Sequence, residues 1–261
     1  MGFIFIRMIV AIFYMGTQTY YSSRLLAVAL RAIFGSAWEN IPNHLPASAG
    51  ITSSNMLAFF LTWLFQFPTA WLHPKNAGPL FLIKSLLAPV SLFVTMIWAL
   101  VNAGGVKLEL GTKTLSGDSL GWGFMKSINT VVSGVVSTLS GTRDDTVANS
   151  CDQIPPMVNI ADLARYANQP RDVAPLVAGL FVSKPIVILI GLFTTAAGAK
   201  RFGVANWNLW DFYSLVLDHY WTPGARTLVF LAAFIQSFAT IVTNVSSNAI
   251  PVGCDLSGLF P

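Results

Sequence analysis

Six apolar blocks, each near the roughly 20 residues that carry a helix across the hydrocarbon core of a bilayer, constrain this chain more than any other feature. They run from Phe3 to Phe34, Met56 to Leu72, Leu80 to Val101, Leu120 to Leu139, Val173 to Ala197 and Ala225 to Ile250. A soluble chain has no use for so many, because each would need burial on every side. In lipid the backbone must satisfy its own hydrogen bonds, so blocks of this length read as helices. The expected fold is an all-α integral membrane bundle of about six transmembrane helices.

Charge agrees with that reading. Only 10% of residues are charged, against about 25% in ordinary soluble domains. The net charge of +4 is scattered between the blocks, where basic residues meet a membrane surface, so nucleic acid is not an expected partner. The opening "MGFIFIRMIVAIFYMG" lacks the small-residue cleavage site of a signal peptide. Ile6 stands where a myristoylation signal needs Ser or Thr. Cys151 and Cys254 have no metal-ligand spacing, and His44, His73 and His219 fall in three different connectors, so neither disulfide, metal nor cofactor is expected. No phosphate-cradling glycine loop and no nucleophile elbow occurs, and the chain does not read as an enzyme. "NVS" at Asn244 matches a glycosylation acceptor but falls inside the last block.

The informative residues are the polar ones within the apolar blocks. "FYMGTQTYY" places Tyr14 four residues before Gln18, on one helical face. Asn129, Thr130, Ser133, Ser137 and Thr138 lie in the fourth block; the sixth holds Gln236, Ser237, Thr240, Thr243, Asn244, Ser246, Ser247 and Asn248. Such groups face a bundle interior or a cavity. For the serines and threonines the plainer role is glue between helices. An amide is a donor and an acceptor at once, and an aromatic beside it stacks on a ring. Gln18 with Tyr14, and Asn248 across the bundle, therefore fit a small planar ligand carrying adjacent N–H and C=O groups.

Four stretches in order, "FYMGTQ", "IPNHLPASAGITS", "VNIADLARYANQPRD" and "TNVSSNAIPVGCDLSGLFP", resemble the nucleobase–cation symporter-1 family, in particular its fungal uracil, uridine and allantoin permease branch. The resemblance covers nearly the whole chain and implies helices three to eight of a twelve-helix transporter. On that basis the fold is an incomplete inverted-repeat (LeuT-like) bundle in a multi-pass, plasma-membrane protein. The family's substrate-binding positions fall on Tyr14, where Trp is usual, on Gln18 and on Asn248. The second stacking aromatic falls on Val135 or Val136, so one face of the sandwich is missing. The cation-site equivalents are Ala239, through its carbonyl, and Thr243, with Val242 where a second hydroxyl is usual. Valine cannot ligate a hard cation, which favours a proton over sodium as the coupling ion. No Asp or Glu lies clearly within a block, so the proton carrier is not identified. The resemblance thus implies import of a nucleobase, nucleoside or related N-heterocycle; the alternative is a truncated, non-transporting membrane remnant.

Three segments lie outside the blocks. Residues 36–55 form a polar connector. Residues 207–221, "WNLWDFYSLVLDHYW", read as an amphipathic interfacial helix with aromatic anchors. Gly141–Met157, "GTRDDTVANSCDQIPPM", looks inserted, because joining its flanks restores a continuous family-like helix. Charge is nearly balanced between alternate connectors and does not set the orientation.

Overall fold

Small and hydroxylated residues recur at three- and four-residue spacing in three separate blocks, giving each helix one stripe on which another backbone can approach closely. The computed structural model describes residues 2–71, 78–105, 117–125 and 174–259. It contains α1 (Gly2–Phe34), α2 (Ser36–Glu39), a short 3₁₀ turn (Ala47–Ala49), α3 (Ser53–Trp71), α4 (Gly78–Asn102), α5 (Ala174–Phe202), α6 (Leu209–His219), α7 (Pro223–Asn244), a π-helical turn (Val245–Ala249) and α8 (Ile250–Leu259). A further helical segment occupies residues 118–125. No strand occurs among the described residues.

The chain divides into two compact units, one of Met1–Thr95 with Asn206–Pro261 and one of Met96–Ala205. In the first, Ala58, Thr62 and Gln66 of α3 and Val229, Ala233 and Ser237 of α7 are buried at four-residue spacing. Ser22, Ser23 and Ala29 of α1 are buried with them. Helices α1 and α7 run antiparallel. At one end Arg226 donates from Nε to the Ala32 carbonyl and from its guanidinium to the Ile33 carbonyl, each at 2.8 Å. Those carbonyls end α1 and have no helical partner of their own. Midway, Ser22 Oγ donates to the Ser237 carbonyl at 3.0 Å and Ser237 Oγ to the Ser22 carbonyl at 3.1 Å. At the far end Asn244 Nδ2 donates to the Met15 carbonyl at 3.0 Å.

Gly35 closes α1. Its φ of 58° is left-handed, and an added Cβ would lie 3.0 Å from the Trp221 ring, so both conformation and space require glycine. Arg31 then reaches Glu39 and, on α6, Asp218, each at 2.5 Å, which fastens the end of α1 to α6. Helix α6 sinks Phe212, Tyr213, Val216 and Leu217 into this unit. The Thr95 hydroxyl donates to the Ser91 carbonyl at 2.8 Å, leaving its oxygen to accept from Tyr213 Oη at 3.0 Å.

The outside is apolar. Leu82, Leu86, Val90 and Val101 of α4 and Phe60 and Phe65 of α3 are exposed, the arrangement of a protein whose solvent on that surface is lipid. Gly78–Asn102, Pro185–Phe202 and Pro223–Gly258 are long and apolar enough to cross a membrane. This is an all-α, multi-pass membrane protein. In the second unit Lys200 Nζ, in the last turn of α5, donates to the Gly105 carbonyl at 2.6 Å.

Two prolines leave their helices unbroken. Pro68 lies within α3, which continues to Trp71. Its missing N–H costs one bond in the last turns of the helix, and Thr69 turns its hydroxyl inward to the Gln66 carbonyl at 2.6 Å. Pro251 does not end the sixth block either: the helix runs on as α8 to Leu259. A proline clashes with the carbonyl four residues back and withdraws its hydrogen bond, here at Ser247. The chain widens into a π turn over Val245–Ala249, with Ile250 N–H donating to Val245 five residues back. The fourth block lies outside the described residues beyond residue 125, as does all of Gly141–Met157.

Candidate functional site

Asn248 lies inside the π turn, a feature that recurs at functional sites because it redirects side chains without ending the helix. It is 1% exposed. Its Nδ2 donates to Asn244 Oδ1 at 2.7 Å. Asn244, equally buried, turns its own Nδ2 toward the Met15 carbonyl at 3.0 Å, Gln66 Oε1 at 3.1 Å and Thr19 Oγ1 at 3.2 Å. Thr19 Oγ1 in turn lies 2.7 Å from the Met15 carbonyl and 3.0 Å from Gln66 Oε1. Helices α1, α3 and α7 thus meet around a buried polar knot.

Gln18 is buried beside Thr19 on α1, and its Oε1 has no partner; neither does Asn248 Oδ1. Among the described residues only three buried side-chain polar atoms lack a partner, and the third, Arg31 Nε, belongs to the ion cluster at the end of α1. On the antiparallel register that sets Ser237 opposite Ser22 and Asn244 opposite Met15, Asn248 lies roughly two helical turns, ~10 Å, from the level of Gln18 along the paired helices. The two amides do not bond each other. An unpaired amide oxygen in a buried setting costs about 1–3 kcal/mol, and native structures keep few of them without a use.

Tyr14 is half-buried, one turn from Gln18. Val135 lies outside the described residues. Ala239 and Thr243 are buried and occupied with each other, the Thr243 hydroxyl donating to the Ala239 carbonyl at 2.8 Å. Val242 is buried next to them. A groove of about 610 Å³ between α4 and α7 is lined by residues including Leu87, Val90, Ser91, Thr95, Leu228 and Leu231. Neither Gln18 nor Asn248 lines it, and its wall has little to pair with a polar ring.

Three residues gain importance only from the structure. Gln66 joins the knot from α3, and the four-residue spacing from Ala58 through Thr62 was its only trace in the sequence. Asn244 precedes Asn248 by four and shares its face. Asp255 lies just past the sixth block as its sequence bounds have it. It is 8% exposed on α8, inside the apolar stretch Pro223–Gly258, on the buried stripe of Asn244, Asn248 and Pro251.

Comparison with known proteins agrees with this architecture. Residues 3–261 match the model of a family described as permeases for cytosine/purines, uracil, thiamine and allantoin. The allantoin permease of Saccharomyces cerevisiae is 30% identical over 260 residues, covering 98% of this chain and 38% of its own length. The uracil and uridine permeases of the same yeast are each 28% identical over 261 residues, again with 98% and 38% covered. The chain thus spans well under half the length of these relatives. No solved structure matches it.

Proposed function

Since this chain belongs to the family of permeases for cytosine/purines, uracil, thiamine and allantoin, we propose that it contributes substrate-binding helices to a plasma-membrane importer of a uracil-, uridine- or allantoin-type ring. One observation carries the reading. Two buried amide oxygens, Gln18 Oε1 and Asn248 Oδ1, have no partner and lie on packed helices roughly two turns apart. The two ring N–H groups of uracil or allantoin would pair both, the single ring N–H of uridine one of them, and the half-buried Tyr14 would stack on the ring face. With Val135 in place of a second aromatic, stacking is one-sided and the amides carry more of the recognition.

Coupling follows from neighbouring chemistry. Val242 offers no oxygen, and the Thr243 hydroxyl is turned onto the Ala239 carbonyl, a weak set for a hard cation. Asp255, on α8 of the same apolar stretch, supplies a buried carboxyl group. Acidic groups buried within apolar membrane helices are retained for proton or ion work, so Asp255 is the proton carrier in this reading, and transport is driven by protons and indifferent to sodium.

Uptake of radiolabelled uracil, uridine and allantoin by cells expressing the protein tests the proposal. Gln18→Ala or Asn248→Ala should lower uptake of the preferred substrate about tenfold or more, since each leaves a ligand N–H unpaired. Uptake within twofold of the unaltered protein at normal surface abundance would refute the assignment. No uptake of any of the three by the unaltered protein would favour a non-transporting remnant.

A further inference from the structure

We infer that Asn244 is a positioning residue that sets which end of the Asn248 amide faces the ligand, making Asn248 a fixed acceptor that selects for a ring N–H. The inference rests on the substrate reading of Gln18 and Asn248 and adds the polarity of the site. It begins at an atom whose role is not in question. The Met15 carbonyl can only accept, so the Asn244 atom 3.0 Å away must be its nitrogen. Asn244 therefore presents Oδ1 to Asn248, and that oxygen also only accepts. Asn248 must meet it with Nδ2, as it does at 2.7 Å. The Asn248 Oδ1 is thereby turned away from the knot, buried and unpaired.

Gln66 and Thr19 reinforce the direction. Gln66 Oε1 accepts from Asn244 at 3.1 Å and lies 3.0 Å from the Thr19 hydroxyl. Rotating the Asn244 amide would set its oxygen against the Met15 and Gln66 oxygens together. A free asparagine could serve a donor or an acceptor equally well; one held in this way cannot. The Gln18 amide, whose Oε1 is unpaired, can turn either end to a ligand, so the fixed polarity of the site is that of Asn248. The site should reject a ring in which the N–H facing Asn248 is replaced by an oxygen of nearly the same size, because oxygen would then face oxygen.

Uracil and its two oxa-analogues, each with one ring N–H replaced by oxygen, test this by competition for radiolabelled uracil on the purified protein. The analogue that lacks the N–H facing Asn248 should bind about tenfold or more weakly than uracil, the usual cost of denying a buried polar group its partner. Asn244→Leu should free the Asn248 amide to rotate. The penalty on that analogue should then fall to within about twofold. Asn244→Asp keeps an acceptor toward Asn248 and, when protonated, a donor toward Met15, so it should retain the penalty. A merely structural role for Asn244 would weaken all three ligands alike and leave the ratios unchanged; that result overturns the inference. So does equal binding of uracil and both analogues by the unaltered protein, while loss of all three on Asn248→Ala would keep the site reading alive. Failure of uracil to bind also overturns the inference; if allantoin binds and is lost on Gln18→Ala, the reading of the site survives without it. If none of uracil, uridine and allantoin binds, both fall.

Discussion

Replacing Ser22 tests whether the close approach of α1 and α7 builds the site. Ser22 is fully buried and its Oγ lies 2.8 Å from Ser237 Oγ, with each hydroxyl in reach of the other's carbonyl. Ser22→Ala removes one donor and leaves the Ser237 bond to the Ser22 carbonyl intact. A hydrogen bond between membrane helices averages about 0.6 kcal/mol and reaches about 1.7, so this variant should melt about 1–2 °C lower and keep its uptake. Ser22→Leu differs in kind. A carbon where Oγ sits needs about 3.5–4.0 Å to its neighbour, which forces the helices apart locally by ~0.7–1.2 Å. The Asn244 Nδ2 to Met15 bond, now 3.0 Å, lies two turns away on the same seam and would stretch beyond the ~3.2 Å hydrogen-bond range. Overpacking adds about 1–3 kcal/mol. Thermal melting in detergent and substrate uptake should therefore both fall for Ser22→Leu, with melting lowered several times more than for alanine. A leucine variant equal to the unaltered protein in both would refute the reasoning.

Tyr213 is completely buried on α6, and burial pushes its phenol well above its ordinary value. A proton held more tightly in the fold than in the unfolded chain adds stability that is complete below pH ~10 and fades as pH rises past it. Tyr213→Phe should cost about 1 kcal/mol at neutral pH by losing the bond to Thr95, and the gap should narrow above pH 10; a constant gap would contradict the assignment. Asp255→Asn should abolish the dependence of uptake on external pH, and replacing potassium by sodium at fixed pH should leave the unaltered protein unchanged. Retained pH dependence, or stimulation by sodium, would defeat the coupling reading. Arg31→Ala removes the ion pair to Asp218 and the hydrogen bond to the Ser214 carbonyl that hold α6 to the end of α1. Asp218 is half exposed, so the loss is about 1–2 kcal/mol for the two contacts together, read as amide exchange across residues 209–219 rising about 5–30-fold. Unchanged exchange would show that the apolar packing of α6 suffices.

The membrane character and the helical blocks were legible because apolar length is a one-dimensional property. Gln18 and Asn248 stood out for the same reason, as amides in apolar surroundings. The partners of those amides were not legible. Asn244 meets Met15 across 229 positions and Gln66 across 178, and no local pattern says which stripes will face each other. Asp255 lies beyond Ile250, where the sixth block closes in the sequence, whereas a wider turn absorbs Pro251 and carries the apolar stretch on to Gly258. The residues that matter most to the site's polarity, Thr19 and Gln66, are ordinary helix glue until the third dimension places them around one asparagine.

The most direct measurement is a structure of the protein with uracil bound. The account predicts ring N–H groups within about 2.7–3.2 Å of Gln18 Oε1 and Asn248 Oδ1, with Tyr14 against the ring face. Uracil bound elsewhere, with both oxygens still unpaired, would contradict it.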